Sequence, residues 1–353
     1  MVYPVCLVYP ASSVVDGEVW GDGEDRVDML LLREADVRAL LSMEDLIRLM
    51  EDALRAFSTG GVLQPVRVAL PVEPHAGYLG VMPAFMRTNG ALAAKLVTFY
   101  PKNAESHLPT HLAVILLWNS KTGEVLSMMD GRLITEMRTA ATSAAATKVL
   151  ARADASTLAV LGSGVQARSH LEALRLVRSI RAVRVWSRTP AHARQFARDM
   201  SQEFGIGIEP AATGEAAVQG ADLIVTATSA TSPVLRGEWL SKGAHINAVG
   251  APRPMWRELN TEAVSRSRVF VDSRAGALTE AGDLLIPMKE EAIGESHIVG
   301  EIGELLAGRI EGRRGMDDIT LFKSLGMAVE DVATAHHVDK IARERGIGEE
   351  VTL

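Results

Sequence analysis

The chain has 353 residues, enough for two domains, with 47% hydrophobic content and a formal net charge of −7. Both signs of charge are spread along it without a basic block, which argues against a nucleic-acid partner. Cys6 is the only cysteine, which excludes an intramolecular disulfide and a cysteine-built metal cluster and suits a cytoplasmic location.

No apolar run reaches the roughly 18 residues of a membrane span, so no membrane partner is expected. The first segment, MVYPVCLVYPASSVV, is apolar but lacks a basic start and contains Pro4 and Pro10. It reads as neither a signal peptide nor a span. Residues 1–28 form an extension ahead of the first periodic segment. They read as a disordered arm, an arm swapped in an oligomer, or residues upstream of a natural start at Met29.

Ser42-Met43-Glu44-Asp45 has the form of a capping box, and the helix it opens stops at Gly60-Gly61. Segments 66–71, 78–84 and 92–99 are short, apolar and partly alternating, which predicts strands. Segments 111–118 and 125–129 flank the turn Lys121–Glu124 and predict a hairpin. Asp130-Gly131 reads as a turn, and an Ala-rich helix is expected from Thr135 to about Ala151. Strands and helices then alternate: strand 157–161, helix 166–178, strand 182–187, helix 190–203, a short segment at 206–209 and helix 214–219. Strands 223–227, 244–249 and 268–272 follow. This is a doubly wound pattern. A final helix is expected over about 321–345.

The apolar run 157–161 enters Gly162-Ser163-Gly164-Val165-Gln166-Ala167, a G-x-G-x-x-A turn leading into an amphipathic pattern at Leu171, Leu174 and Val177. Gly162 permits the tight turn, Gly164 lets backbone approach a pyrophosphate, and Ala167 allows close helix–strand packing. The end of the second strand reads the adenine ribose. It carries Ser187-Arg188-Thr189 and no acid, which favours the 2′-phosphate of NADPH, with NADH as the alternative. Thr228 and Ser229, after strand 223–227, are expected to face the cofactor.

Three cations stand out in the first part of the chain. Lys95 lies in the apolar run LAAKLVTF, Arg67 stands between Val66 and Val68, and Arg138 falls in the expected first turn of the Ala-rich helix. Together they would suit a small carboxylate. Taken singly, each reads first as a partner of some acid. His111 and His245 read as structural. No metal motif and no G-x-S-x-G is present, so neither a metal site nor a serine hydrolase is expected.

The stretches GVMPAF (80–85), KLVTFYP (95–101), MMDGRLITEMRTAA (128–141), LGSGVQARSH (161–170), GAHINAVGAPRPMWREL (243–259) and FKSLGMAVED (322–331) together resemble the ornithine cyclodeaminase/mu-crystallin family. The resemblance implies an α/β fold, with a Rossmann domain inserted into an α+β substrate-binding and dimerisation domain. The expected parts are 29–142 plus 320–353 for the latter and 143–319 for the Rossmann unit, assembled as a homodimer. It further implies a substrate site of Arg67, Met82, Lys95, Arg138 and Ala251, with Lys95 and Arg138 catalytic. Gly162, Ser163, Gly164, Val165, Gln166, Ser187, Arg188, Thr189, Thr228, Ser229 and Val249 would hold the cofactor.

Ornithine cyclodeaminases carry an aspartate at the position of Ala251, and a methyl group can neither take a proton nor hold an ammonium. The wording around it is closer to the mu-crystallin branch. The expected function is therefore NADPH-preferring reduction of cyclic ketimine carboxylates, such as Δ1-piperideine-2-carboxylate or Δ1-pyrroline-2-carboxylate. Reductive amination of a 2-oxo acid, as by an alanine or N-alkyl amino acid dehydrogenase, is the near alternative. Ornithine cyclodeaminase activity and a non-enzymatic NADP-dependent binding role are the others.

Overall fold

The computed structural model describes residues 28–106 and 108–352. Apart from Asp28, the expectation for residues 1–28 lies outside them. Two eight-stranded sheets carry the chain. The first runs Glu349–Thr352, Asp28–Leu32, Val125–Asp130, His111–Trp118, Leu92–Phe99, Gly77–Met86 and Val62–Leu63, with Val68–Val72 also paired to Gly77–Met86. It is antiparallel except where Asp28–Leu32 runs parallel to Val125–Asp130. Its strands alternate. Met82, Lys95 and Ile115 are in register and buried against helices, while neighbouring residues point the other way.

The second sheet is wholly parallel, in the order Ile208–Pro210, Ala182–Trp186, Thr157–Leu161, Leu223–Thr226, His245–Ala248, Ile319–Lys323, Ser267–Val271 and Ile298–Glu301. Its central strands are buried along nearly their whole length, as expected of a sheet covered on both faces. The strand order reverses between Thr157–Leu161 and Leu223–Thr226. That crevice is where a doubly wound sheet takes its ligand.

The strands Asp28–Leu32, Val62–Leu63, Ile298–Glu301 and Glu349–Thr352 have no counterpart in the sequence reading, and two of the expected elements are placed differently. Residues 319–323 form a strand in the middle of the second sheet, and the last long helix is Ala328–Arg345. The five-residue segment Ile-Thr-Leu-Phe-Lys, buried on both faces, has no periodicity to separate it from a helix. The boundary expected at 320 thus falls inside a strand of the dinucleotide sheet. The Ala-rich helix is Gly131–Leu150, four residues earlier than expected, because Asp130 caps it by accepting the Leu133 N–H at 2.8 Å. Its alanines 140, 141, 144, 145 and 146 are fully buried, so neighbouring helices approach closely on several sides.

Candidate active site

At the strand-order reversal, Gly162 has φ +122°, and a Cβ there would sit 2.4 Å from the Ala227 carbonyl oxygen. Only glycine makes this turn. Gly164, at the N-cap of helix Val165–Val177, would point a Cβ into open space. Room is therefore left above free helix N–H groups, which favour an anion. Ala167 is fully buried, Val165 is half exposed, and the Gln166 Oε1 is buried without a partner. Ser163 and Ser187 hydroxyls lie 3.1 Å apart and tie this turn to the end of the next strand. Arg188 and Thr189 follow on the surface, and Arg188 meets no acidic side chain among the described residues. These groups fit a dinucleotide: a glycine cradle for pyrophosphate, and a free guanidinium where a ribose phosphate would lie.

Beyond the reversal, the Thr228 hydroxyl is turned inward. It donates to Glu258 Oε1 at 2.6 Å and accepts the Ala230 N–H at 3.0 Å, so its contribution to the crevice is through backbone shape. Ser229 is exposed and Val249 half-buried. Ala251 is buried with φ +55°, a left-handed conformation uncommon for a residue with a Cβ.

The three cations come together from distant parts of the chain. Lys95 Nζ lies 2.6 Å from Asp331 Oδ2 and 3.3 Å from the Thr135 hydroxyl. Arg138 donates from Nε to Asp331 Oδ1 at 3.0 Å and from Nη1 to Glu330. All four charged side chains are almost wholly buried, two of each sign. Burial drives the Lys95 ammonium down to about 8 against the pull of Asp331, and drives Glu330 up to about 7 against Arg138. Arg138 lies in the second turn of its helix, so the helix-end argument made from the sequence does not hold. Two carboxylates orient it instead.

Gly326 separates this cluster from a cleft. With φ +79°, it lies so close to Arg138 that a Cβ would come within 2.4 Å of Nη1. The cleft wall includes Gly326, Arg67, Met82, Asp272 and Glu280. Arg67 pairs with Glu280 at 3.0 Å and donates to the Leu325 and Gly326 carbonyls at 2.9 and 3.1 Å. Asp272 holds the same loop from below by accepting the Gly326 N–H at 2.7 Å, and burial raises its affinity for a proton. Arg253, two residues after Ala251, stacks over Trp256 and Tyr78 with centroid distances of 4.7 and 5.1 Å. Of the two expected structural histidines, His245 bonds Thr320 at 2.9 Å away from the site. His111 instead packs on Phe99, a ring also under Arg253, and burial together with the Lys95 charge lowers its proton affinity.

The acids Asp272, Glu280, Glu330 and Asp331 were not singled out from the sequence. Glu330 and Asp331 stand in a quoted stretch, FKSLGMAVED, but the helix expected over about 321–345 puts them in its interior with nothing to mark them; the observed helix Ala328–Arg345 has them in its first turn.

Fold and site together define a dinucleotide-binding protein that also has a cleft walled by Arg67, with the buried Lys95–Arg138 cluster behind Gly326. The family model "Ornithine cyclodeaminase/mu-crystallin family" matches residues 27–346, and the chain belongs to that family. It is 44% identical to mouse ketimine reductase mu-crystallin over 299 residues, covering 84% of this chain and 91% of that protein. The solved Δ1-pyrroline-2-carboxylate reductase of Thermococcus litoralis, in complex with NADH and L-proline, is 42% identical with a TM-score of 0.90. That match covers 92% of this chain and all of the other. An archaeal alanine dehydrogenase dimer with bound NAD is 33% identical with a TM-score of 0.87, covering 92% and 99% of the two chains.

Proposed function

We propose that this chain is an NADPH-preferring reductase of cyclic ketimine carboxylates. The reading is carried by a glycine turn at the strand-order reversal of the parallel sheet, together with a cleft walled by Arg67 and Gly326, behind which Arg138 touches Gly326 and shares Asp331 with Lys95. The likeness to two imine reductases supports it. Residues 162–166 and 187–189 would hold the pyrophosphate and adenosine half of a reduced nicotinamide dinucleotide, which would supply the hydride for the imine carbon. Arg67 and Arg138 hold the substrate carboxylate, since a guanidinium offers paired donors to a planar anion. Glu280 releases Arg67 when the carboxylate takes its place. Lys95, with a proton affinity brought near neutrality, gives a proton to the ring nitrogen as C=N becomes CH–NH. Met82, its cross-strand neighbour, lies on the cleft wall and packs against the ring. Ala251 offers no group for deamination. The preference for NADPH rests on Arg188 and the missing acid.

The active form proposed is a homodimer. The face of the first sheet turned away from its helices carries the apolar rows Val81, Leu96 and Val114, and Pro83, Ala94 and Leu116, beside exposed Val68 and Leu70. A cytoplasmic location fits the single cysteine. No helix among the described residues is long and apolar enough to cross a membrane.

The test is cofactor oxidation with five- and six-membered cyclic imine carboxylates, and with pyruvate plus methylamine, alongside ammonia release from ornithine with catalytic NAD. Fast NADPH consumption with a cyclic imine is expected. Faster turnover of pyruvate plus amine would select the amino acid dehydrogenase reading, and robust deamination of ornithine would overturn both.

A further inference from the structure

Three charged side chains outside the cluster above are completely buried: Glu258, Asp283 and Lys323. Burying such a set costs more than packing apolar groups of the same size, so its presence asks for a task. Its contacts converge on one place. Glu258 Oε1 accepts both the N–H and the hydroxyl of Thr228 at 2.6 Å, and Oε2 accepts the Gly250 N–H at 2.8 Å. Lys323 donates to the Gly250 carbonyl and to Asp283 Oδ2, the latter at 2.8 Å. Asp283 Oδ1 accepts the Glu258 and Leu259 N–H groups at 2.7 and 3.0 Å, which fixes the segment bearing Glu258. Both peptide groups flanking Gly250 are thus held by side chains. A Cβ at Gly250 would lie 2.3 Å from Glu258 Oε2, so the contact requires glycine.

Thr228, Gly250 and Lys323 stand at the carboxyl ends of three adjacent parallel strands, Leu223–Thr226, His245–Ala248 and Ile319–Lys323. The glycine turn and Arg188 lie on the other side of the strand-order reversal. A dinucleotide laid across that reversal has its adenosine half over the Thr157–Leu161 and Ala182–Trp186 side, and its nicotinamide half over the Thr228 and Gly250 side. We propose that Glu258, braced by Asp283 and Lys323, is a positioning residue for the nicotinamide half of the cofactor. It acts by fixing the Thr228 and Val249–Ala251 backbone, including the left-handed turn at Ala251. Its carboxylate touches neither cofactor nor substrate, and works through the loop it holds.

The inference rests on the crevice being a nicotinamide dinucleotide site and is independent of which substrate is reduced. Its test uses two probes on the full chain: NADP+, and 2′,5′-ADP, which has only the adenosine half. In Glu258→Gln the amide keeps an oxygen for Thr228 but turns a donor toward the Gly250 N–H. One buried donor left unsatisfied predicts about a tenfold weaker NADP+ complex by calorimetry, with 2′,5′-ADP affinity within about twofold of wild type. Thr228→Val, which removes the hydroxyl's bonds to Glu258 and from the Ala230 N–H and keeps the volume, should show the same asymmetry at about threefold or more, and it decides the matter if Glu258→Gln does not fold. Parallel weakening of both probes would mean a general structural role and overturn the proposal. So would an unchanged NADP+ affinity in both variants. Failure of wild type to bind either probe would overturn the cofactor reading itself, and the proposal with it.

Discussion

Replacing Gly326 by alanine tests whether the seat of Arg138 matters. The new methyl would arrive 2.4 Å from Arg138 Nη1 and 2.8 Å from Nη2. The guanidinium has nowhere to retreat, because Nε is held by Asp331 and Nη1 by Glu330, both buried. The loop resists as well, since Asp272 holds the Gly326 N–H and Arg67 its carbonyl. Two costs follow. Alanine at φ +79° pays about 1–2 kcal/mol for the left-handed backbone, and overpacking a closed site adds about 1–3 kcal/mol. The expected loss of stability is about 2–5 kcal/mol, read by urea unfolding. Any relief must shift Arg138 or the cleft wall by a good fraction of an ångström. Misplacement of about 1 Å costs around 100-fold in rate, so kcat/KM for a cyclic imine should fall by that order. NADPH affinity should hold, because the crevice beyond Gly162 is untouched. A variant with stability within about 0.5 kcal/mol of wild type and kcat/KM within about twofold would refute the assignment of Arg138 to the carboxylate.

Three further outcomes are expected. Gly164→Ala should fold with unchanged stability, since its Cβ meets nothing within 4 Å, yet bind NADP+ at least about tenfold more weakly. Gly162→Ala should unfold readily, and equal stability of the two would contradict the cradle geometry. Arg188→Ala should weaken NADPH by about tenfold or more while changing NADH little, as measured by fluorescence titration; equal effects on both would remove Arg188 from the phosphate. Lys95, held down to about 8 by burial, should impose a fall in kcat/KM above about pH 8 as Nζ loses its proton, and Lys95→Arg should lack that limb while reducing imines poorly. The same shift has a stability sign. Lys95 is a depressed base, so its burial cost is fully present below pH 8 and is relieved as pH rises from about 8 toward 10.5. Its share of stability should therefore increase across that window, and a decrease relative to Lys95→Met would contradict it.

The sequence by itself determined what depends on neighbours along the chain. The turn at Gly162–Gly164 was legible because strand, φ-permissive glycine, open glycine and helix follow one another within a dozen residues. The hairpin of 111–118 with 125–130 was legible for the same reason. Six stretches taken together resembled the family to which the chain belongs, and the wording around Ala251 favoured the mu-crystallin branch. Tertiary structure alone decided the rest. Lys95, Arg67 and Arg138 carried no mark of the acids that answer them, which stand about 190 to 240 residues further on. Glu330 and Asp331 look like two ordinary helix acids until the helix Ala328–Arg345 is packed against the first sheet, where burial turns them into the counter-charges of the site. The strand Ile319–Lys323 has no local signature either, because a strand covered on both faces loses the alternation that would distinguish it. Its last residue, Lys323, becomes part of a brace only because the sheet order sets it beside Gly250. Charge pairing and burial are properties of the fold's surfaces in contact, and they have no period along the chain.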